Sequence, residues 1–331
     1  MATNIDMSNL SRNPLVLIAG PTASGKSAVS LWLAENAPGT VINGDALQLY
    51  RDLSVLTARP SPEDEARAPH RLYGVLDGSE ASSAAWWAES ATREVEAAWS
   101  QGRLPIVTGG TGLYLRTLLH GIVPVPDIAE SVRADVRARM ETQGPDALHA
   151  ELASLDPVTA ARLGPRDRQR IARALEVVLA TGTPLSQFQQ ERTGGLADRE
   201  DVGPIIRCVI LPAREILYER CDKRLESMVA LGAIDEVKNL LARDLAPELP
   251  VMKAVGVPEF AAFLEKGIEL QEAVETAQQA TRNYAKRQYT WFRNQCRDWH
   301  FIGTHDPENQ KKKIATILRD GGLTLKVLNN T

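Results

Sequence analysis

At 331 residues, 44% of them hydrophobic and 24% charged, the chain is long enough for one large or two modest domains with a real apolar core. Its formal net charge of -4 excludes recognition of nucleic acid by overall charge, so any such role needs a local basic face. The three cysteines, Cys208, Cys221 and Cys296, lie far apart without C-x-x-C spacing, which excludes a disulfide framework and a zinc site and points to a reducing compartment. Residues 1–13 are polar and lack a signal-peptide core, and no run reaches the ~18 apolar residues of a membrane span. A cytoplasmic enzyme with no membrane partner is the expectation.

The first element is a short buried strand at 15–19. It runs into Gly20, Pro21, Thr22, Ala23, Ser24, Gly25, Lys26 and Ser27, which read G-x-x-x-x-G-K-S, and a helical pattern follows to 36. Strand, glycine-rich loop and helix in this order make a phosphate-binding P-loop. Its backbone N–H groups converge on phosphate oxygens at the positive end of a helix. Lys26 adds a point charge, and the Ser27 hydroxyl is a candidate Mg²⁺ ligand. The motif fixes binding of a polyphosphate or pyrophosphate and leaves the reaction open.

A second strand at 40–43 ends in Asn43, Gly44 and Asp45. A carboxylate at the end of a parallel strand faces the crevice where open α/β sheets bind ligands. Asp45 reads as a general base or Mg²⁺ ligand, or equally as a turn or helix-capping carboxylate. A helix at 83–101 and a third strand at 105–108 follow, and that strand runs into glycines around Thr111, whose hydroxyl suits a phosphate oxygen. The strand ends in Thr108, where ordinary P-loop ATPases carry a Mg²⁺-binding aspartate. This argues against an ATPase or GTPase.

From 127 to 203 no good strand occurs, and helical patterns run at 130–141, 145–155, 156–163 and 167–180. Asp156 and Asp167 read as N-caps, Pro157 as a first helical residue and Gly182 as a C-terminal stop. A linker-like stretch at 193–203 precedes a strand at 205–211. The remainder is mostly helical, and Lys311 to Lys313 open a terminal helix as a solvated face. The predicted fold is α/β: a parallel sheet core at 14–126 and 204–331, interrupted by an all-helical insertion at 127–203.

Two basic clusters stand out. Arg162, Arg166, Arg168, Arg170 and Arg173 form the first, with Arg166, Arg170 and Arg173 on one helical stripe. The second lies on a helix at 282–297, where Arg282, Lys286, Arg293 and Arg297 project beside an apolar stripe of Ala285, Tyr289, Phe292, Cys296 and Trp299. Each reads as a solvated amphipathic face or as a track for an RNA or DNA backbone. Arg220 and Arg224 lie one helical turn apart, either paired with Glu219 and Glu226 or forked toward pyrophosphate oxygens.

Taken together these segments resemble the tRNA dimethylallyltransferase (tRNA isopentenyltransferase) family. The resemblance runs from about residue 14 to residue 299 and rests on GPTASGKS, GDALQLYRDLSVLTARPS, APHRLYGVLD, IVTGGTGLYL, DRQRIARALEV, RCDKRLESM and AKRQYTWFR in family order. It implies a P-loop, kinase-like core with a helical insertion. It also implies transfer of a dimethylallyl group from dimethylallyl diphosphate to the exocyclic amine of the adenosine 3′ of the anticodon in tRNA. The P-loop then holds a leaving diphosphate, with Mg²⁺ as cofactor.

Carried over residue by residue, the family's general base falls on Asp45. Its diphosphate contacts fall on Lys26, Ser27, Thr111 and Arg224, with Arg220 a weaker candidate. Its tRNA contacts fall on Asp45, Ala46, Leu47 and Gln48, on Thr111 and Arg133, on Gln169, Arg170, Ile171, Ala172 and Arg173, and on the stretch from Lys286 and Arg287 to Arg293. The family has serine where Ala46 stands, and a G-Y-R-E run where Gly256, Val257, Pro258 and Glu259 stand. The absence of a Cys/His cluster near the C-terminus points to a bacterial-type enzyme, and a monomer is expected. The rival readings are a nucleoside or small-molecule kinase with ATP in the P-loop, and a non-catalytic RNA-binding P-loop protein.

Overall fold

The computed structural model describes residues 3–5, 12–191, 193–323 and 325–327, the two short outer segments by backbone alone. The expectation that the N-terminus carries no leader falls largely outside the described residues. The first part of the chain forms β1 (Thr3–Ile5), β2 (Asn13–Ala19), α1 (Lys26–Asn36), β3 (Gly39–Asn43), α2 (Pro62–Arg67), β4 (His70–Arg71), α3 (Ala84–Ser100), β5 (Leu104–Gly109) and α4 (Gly112–His120). Five helices follow, α5 (Glu130–Thr142), α6 (Gly144–Leu155), α7 (Pro157–Ala160), α8 (Arg168–Thr181) and α9 (Leu185–Phe188). The last part forms β6 (Val202–Ile210), α10 (Arg214–Ala230), α11 (Ala233–Leu241), α12 (Val257–Lys266), α13 (Leu270–Gln295), β7 (His300–Ile302), α14 (Pro307–Asp320) and β8 (Leu325–Val327).

Six strands make one parallel sheet in the order β4-β3-β5-β2-β6-β7, and β1 pairs antiparallel with β8. The α/β expectation holds, for a reason visible in β2. Leu15, Leu17 and Ala19 enter one apolar cluster with Trp87 and Val95 of α3, while Val16 and Ile18 enter another with Val29 of α1 and Ile314 of α14. Successive side chains point to opposite faces, so a strand apolar at every position demands cover on both. Each such fully buried aliphatic side chain contributes about 1.5–3 kcal/mol.

Four strands escaped the sequence reading: β1 and β8, which pair with each other, and β4 and β7 at the edges of the main sheet. The last two hold two and three residues and exist by pairing with β3 and β6. The strand expected at 205–211 begins earlier, at Val202, because Leu196 and Val202 of the linker-like stretch are buried and Asn13 N–H donates to Asp201 O at 3.0 Å.

The described chain divides into two compact units, one comprising residues up to Leu119 and from Leu196 onward, the other His120–Gly195. The helical unit is therefore set nearer the N-terminus than 127–203. Its ends meet where Ile122 and Thr193 exchange two backbone hydrogen bonds, 3.0 and 3.2 Å. Its own core includes Val136, Leu148, Leu152, Ile171 and Leu175. The expected caps are in place: Asp156 accepts from Thr159 N, Asp167 accepts from Arg170 N, and Gly182 ends α8 at φ +70°. The Asp156 carboxylate also takes two bonds from Ser186. Burial would raise its pKa, but the hydrogen bonds from Thr159 and Ser186 outweigh it and hold it below the usual range.

Candidate active site

The loop between β2 and α1 turns sharply because its residues permit it. Gly25 sits at φ +101°, and a Cβ there would lie 2.8 Å from Gln310 Oε1. Gln310, buried on α14, donates to Ser24 O at 3.1 Å and braces the loop from outside. The Ser24 hydroxyl is buried with no hydrogen-bond partner, an unspent donor inside the loop. The Lys26 ammonium reaches Pro21 O at 3.4 Å. Burial lowers its pKa to about 8, opposed by Asp45, reinforced by Arg224 and opposed by Cys221.

Asp45 leaves β3 in a loop fixed from two sides. Asn43 Oδ1 accepts from Asp45 N at 2.8 Å, and Asn43 Nδ2 donates to the carbonyls of Asp45 and Leu72. Thr111 Oγ1 accepts from Ala46 N at 3.0 Å. Gly44 N donates to Thr108 O at 2.7 Å, so tightly that a Cβ on Gly109 would fall 2.1 Å from the Gly44 backbone. Among the described residues the Asp45 carboxylate caps no helix. It faces a cavity of about 630 Å³ together with Thr22, Leu47, Leu56, Thr57, Cys221, Arg224, Leu225, Met228, Val255, Thr281 and Tyr284. The turn and capping alternatives for Asp45 therefore fall away.

Arg224 and Arg220, equivalent in sequence, part company here. Arg224 faces this cavity and a second, of about 1070 Å³, that Ser27, Thr108 and Lys311 also line. Burial lowers the pKa of its guanidinium, while Cys221 and Asp45 raise it. Arg220 instead donates to His305 O at 2.8 Å and lines neither cavity. Neither arginine takes the Glu219 or Glu226 pairing, since Glu219 binds Lys223 and Glu226 binds Gln278.

Thr111 also does more than expected. Its hydroxyl oxygen accepts from Ala46 N–H, so it holds the Asp45 loop in addition to any contact its own proton makes. Burial, with the Asp45 charge, raises the Tyr284 pKa well above its usual value. Thr108 Oγ1 donates to Ile18 O at 3.1 Å, which satisfies the group standing where ATPases place an acid.

The basic clusters sort in the same way. On α8, Gln169, Arg170 and Arg173 are exposed, while Ile171 is wholly enclosed in the core of its unit and offers no surface; Ala172 is half-buried. Arg168, Arg170 and Arg173 pair with Glu141, Asp167 and Glu176, exposed pairs that cost little to break. Arg133 lies 4.0 Å from Glu130. Lys286 and Arg293 on α13, and Arg297 just past its end, are exposed as expected, whereas Arg282 is spent on Asp222, and Tyr284, Gln288 and Trp291 are the residues turned toward the 110–112 loop. Helical spacing puts Lys286 and Arg293 on the far side of α13, so of its expected cations exposed Arg287 flanks the site.

Gln48 Nε2 donates to Thr57 O and Ala58 O, and half-buried Leu47 lines the cavity. Where the G-Y-R-E run is replaced, Glu259 Oε2 accepts from Gly256 N at 2.8 Å and starts α12. Sequence reasoning placed Gln288 only inside a stretch of expected tRNA contacts and missed Tyr284 and Glu236, the last of which accepts backbone N–H groups of Ser54, Val55 and Leu56. Their side chains signal nothing until the chain folds back.

An arginine and a carboxylate in the wall of a partly apolar slot, beside a phosphate loop at the C-terminal edge of a parallel sheet, fit a group-transfer enzyme with an anionic leaving group. The model of the family described as IPP transferase matches residues 48–295. The match begins after Lys26 and Asp45, whose placement rests on the geometry above. A tRNA dimethylallyltransferase of Sphingopyxis alaskensis is 55% identical over 282 residues, 85% of this chain and 90% of that one. The crystal structure of the tRNA isopentenylpyrophosphate transferase of Bacillus halodurans shares 32% identity at a TM-score of 0.65, over 94% of this chain and 98% of that one. A eukaryotic dimethylallyltransferase, solved in the act of modifying tRNA, shares 26% identity at a TM-score of 0.78, over 96% and 81%. The chain belongs to the IPP transferase family and is a transferase.

Proposed function

We propose that the chain transfers a dimethylallyl group from dimethylallyl diphosphate to the exocyclic amine of the adenosine 3′ of the anticodon in tRNA, releasing diphosphate. The observation that carries this reading is the meeting of Asp45 and Arg224 in one cavity whose remaining wall is largely apolar, with the charges of both acting on buried Lys26 behind it. The apolar wall of Leu47, Leu56, Leu225, Met228 and Val255 suits an isoprenoid chain. The kinase and binding-only readings are not favoured.

In this reading the amine nitrogen attacks the first carbon of the prenyl chain as the carbon–oxygen bond to diphosphate breaks. Asp45 accepts the proton the nitrogen sheds. The 20–27 loop, Lys26 and Arg224 hold the charge that develops on the leaving oxygens. Thr111, Tyr284 and Asn43 hold the Asp45 loop in place. We assign Mg²⁺ to the Ser27 hydroxyl, exposed at the start of α1, with diphosphate oxygens as the other hard donors. The residues fit that ion, and among the described residues no cluster of three or more His, Cys, Asp or Glu competes for it. When bound it neutralises leaving-group charge.

The target adenosine must leave its stack to reach Asp45. Arg133, Gln169, Arg170 and Arg173 in the helical unit, and Ala46, Leu47 and Arg287 in the core, are the contacts we assign to the anticodon arm. Three free buried cysteines accord with a cytoplasmic setting. No described helix is long and apolar enough to cross a membrane. Incubation with labelled dimethylallyl diphosphate, Mg²⁺ and unmodified tRNA should give a prenylated adenosine on nucleoside analysis. Label that never reaches tRNA, alongside nucleotide-dependent phosphoryl transfer, would instead establish the kinase.

A further inference from the structure

We propose that Gln288 is a positioning residue for the transfer: its carboxamide sets the distance between the phosphate loop and the loop that carries Asp45's supports. The proposal rests on the reading of the site given above. Gln288 lies mid-way along α13, 6% exposed. Its Oε1 accepts from Thr22 N at 2.9 Å, and its Nε2 donates to Gly110 O at 2.9 Å. The two partners fix the orientation of the amide, since Thr22 N–H requires an acceptor and Gly110 C=O a donor. One planar group thus spans the leaving-group side and the acceptor side of the site.

The neighbourhood leaves little slack. A Cβ on Gly110 would stand 2.3 Å from Gln288 Nε2 and 3.2 Å from Asp45 Oδ2, so the Gly110 backbone is held between the amide and the carboxylate. One turn to either side on α13, Tyr284 stands beside Thr111 and the Trp291 ring abuts Gly112. α13 therefore runs along the 110–112 loop as a ruler, and among the described residues Gln288 makes its one hydrogen bond to the phosphate loop. Gln288 lines neither cavity, so it acts through Thr22 and Gly110 and not on substrate. Buried hydrogen bonds of this kind do not compete with water. A displacement of about 1 Å between reacting groups can cost about 10²-fold in rate.

Q288L keeps the bulk and removes both bonds. It should lower the single-turnover transfer rate by about 10- to 100-fold while tRNA Kd and the KM for dimethylallyl diphosphate stay within about threefold. It should also release more diphosphate than it transfers prenyl groups, because a misaligned carbon is open to water. Q288E supplies a second, internal test. Its protonated acid is shaped like the amide and restores both bonds, whereas its anion faces the Gly110 carbonyl, so its rate relative to Q288L should climb as pH falls. A structural role alone gives no such pH dependence. A folded Q288L that transfers within threefold of wild type, with one diphosphate released per prenyl group, overturns the proposal. If Q288L does not fold, a Q288E rate that keeps the wild-type pH profile overturns it, while loss of prenyl transfer to tRNA in the wild type itself overturns the underlying reading.

Discussion

Raising the pH past about 8 should strip Lys26 of its proton and loosen the enzyme's hold on diphosphate. The ammonium sits near 8 against an ordinary 10.5, chiefly because burial removes its water, a displacement equivalent to about 3 kcal/mol. Without ligand, the unfolded chain binds more protons than the folded one between those two values, so Lys26 makes stability rise with pH across that window. A bound anion reverses the balance by favouring the ammonium. Diphosphate binding above pH 8 must then take up a proton, and affinity should fall by up to tenfold per pH unit, whereas below pH 8 this contribution is flat. Calorimetric titration with inorganic diphosphate from about pH 7 to about pH 10, in buffers of different ionisation enthalpy, measures both Kd and proton uptake. Lys26→Arg keeps its charge throughout and reports the ligand's own titration. A wild-type profile that superimposes on that of Lys26→Arg, with no proton uptake near pH 9, would refute the argument.

Asp45→Asn should lower single-turnover transfer by about 10²-fold or more with tRNA Kd unchanged within about twofold, and an unaltered rate in rapid-quench measurements removes Asp45 as the base. Replacing Arg170 and Arg173 together by Gln should weaken tRNA binding and reduce the slope of log Kd against log salt by about 0.7 for each phosphate that is no longer neutralised. An unchanged slope would exclude α8 from the RNA face. Glu236→Ala strands the N–H groups of Ser54, Val55 and Leu56, the last of which lines the Asp45 cavity beside Thr57. It should destabilise the fold by about 2–4 kcal/mol in denaturant titration and raise the KM for dimethylallyl diphosphate, and a variant as stable as wild type contradicts that role.

What the order of residues determined alone is local. The 20–27 loop was legible because strand, loop and helix are contiguous and each glycine reports a backbone demand at its own position. The caps at Asp156 and Asp167 and the stop at Gly182 were legible because a side chain answers to N–H groups three residues away. Composition and the alternation of apolar strands with helical patterns likewise sufficed for an α/β sheet. Tertiary structure decided everything that depends on which distant segment arrives. β4 and β7 are too short to carry a period and are strands only because β3 and β6 lie beside them. Arg220 and Arg224 look alike in sequence, yet one is spent on His305 O and the other faces both cavities. On α13 the periodicity revealed a basic face but not which residues the site would meet, and the answer placed Gln288 inward and Lys286 away from it. The division is physical: backbone conformation and capping are set by neighbours within a few residues, whereas a hydrogen bond across 178 positions, as between Gln288 and Gly110, exists only once the whole sheet and its covering helices have closed.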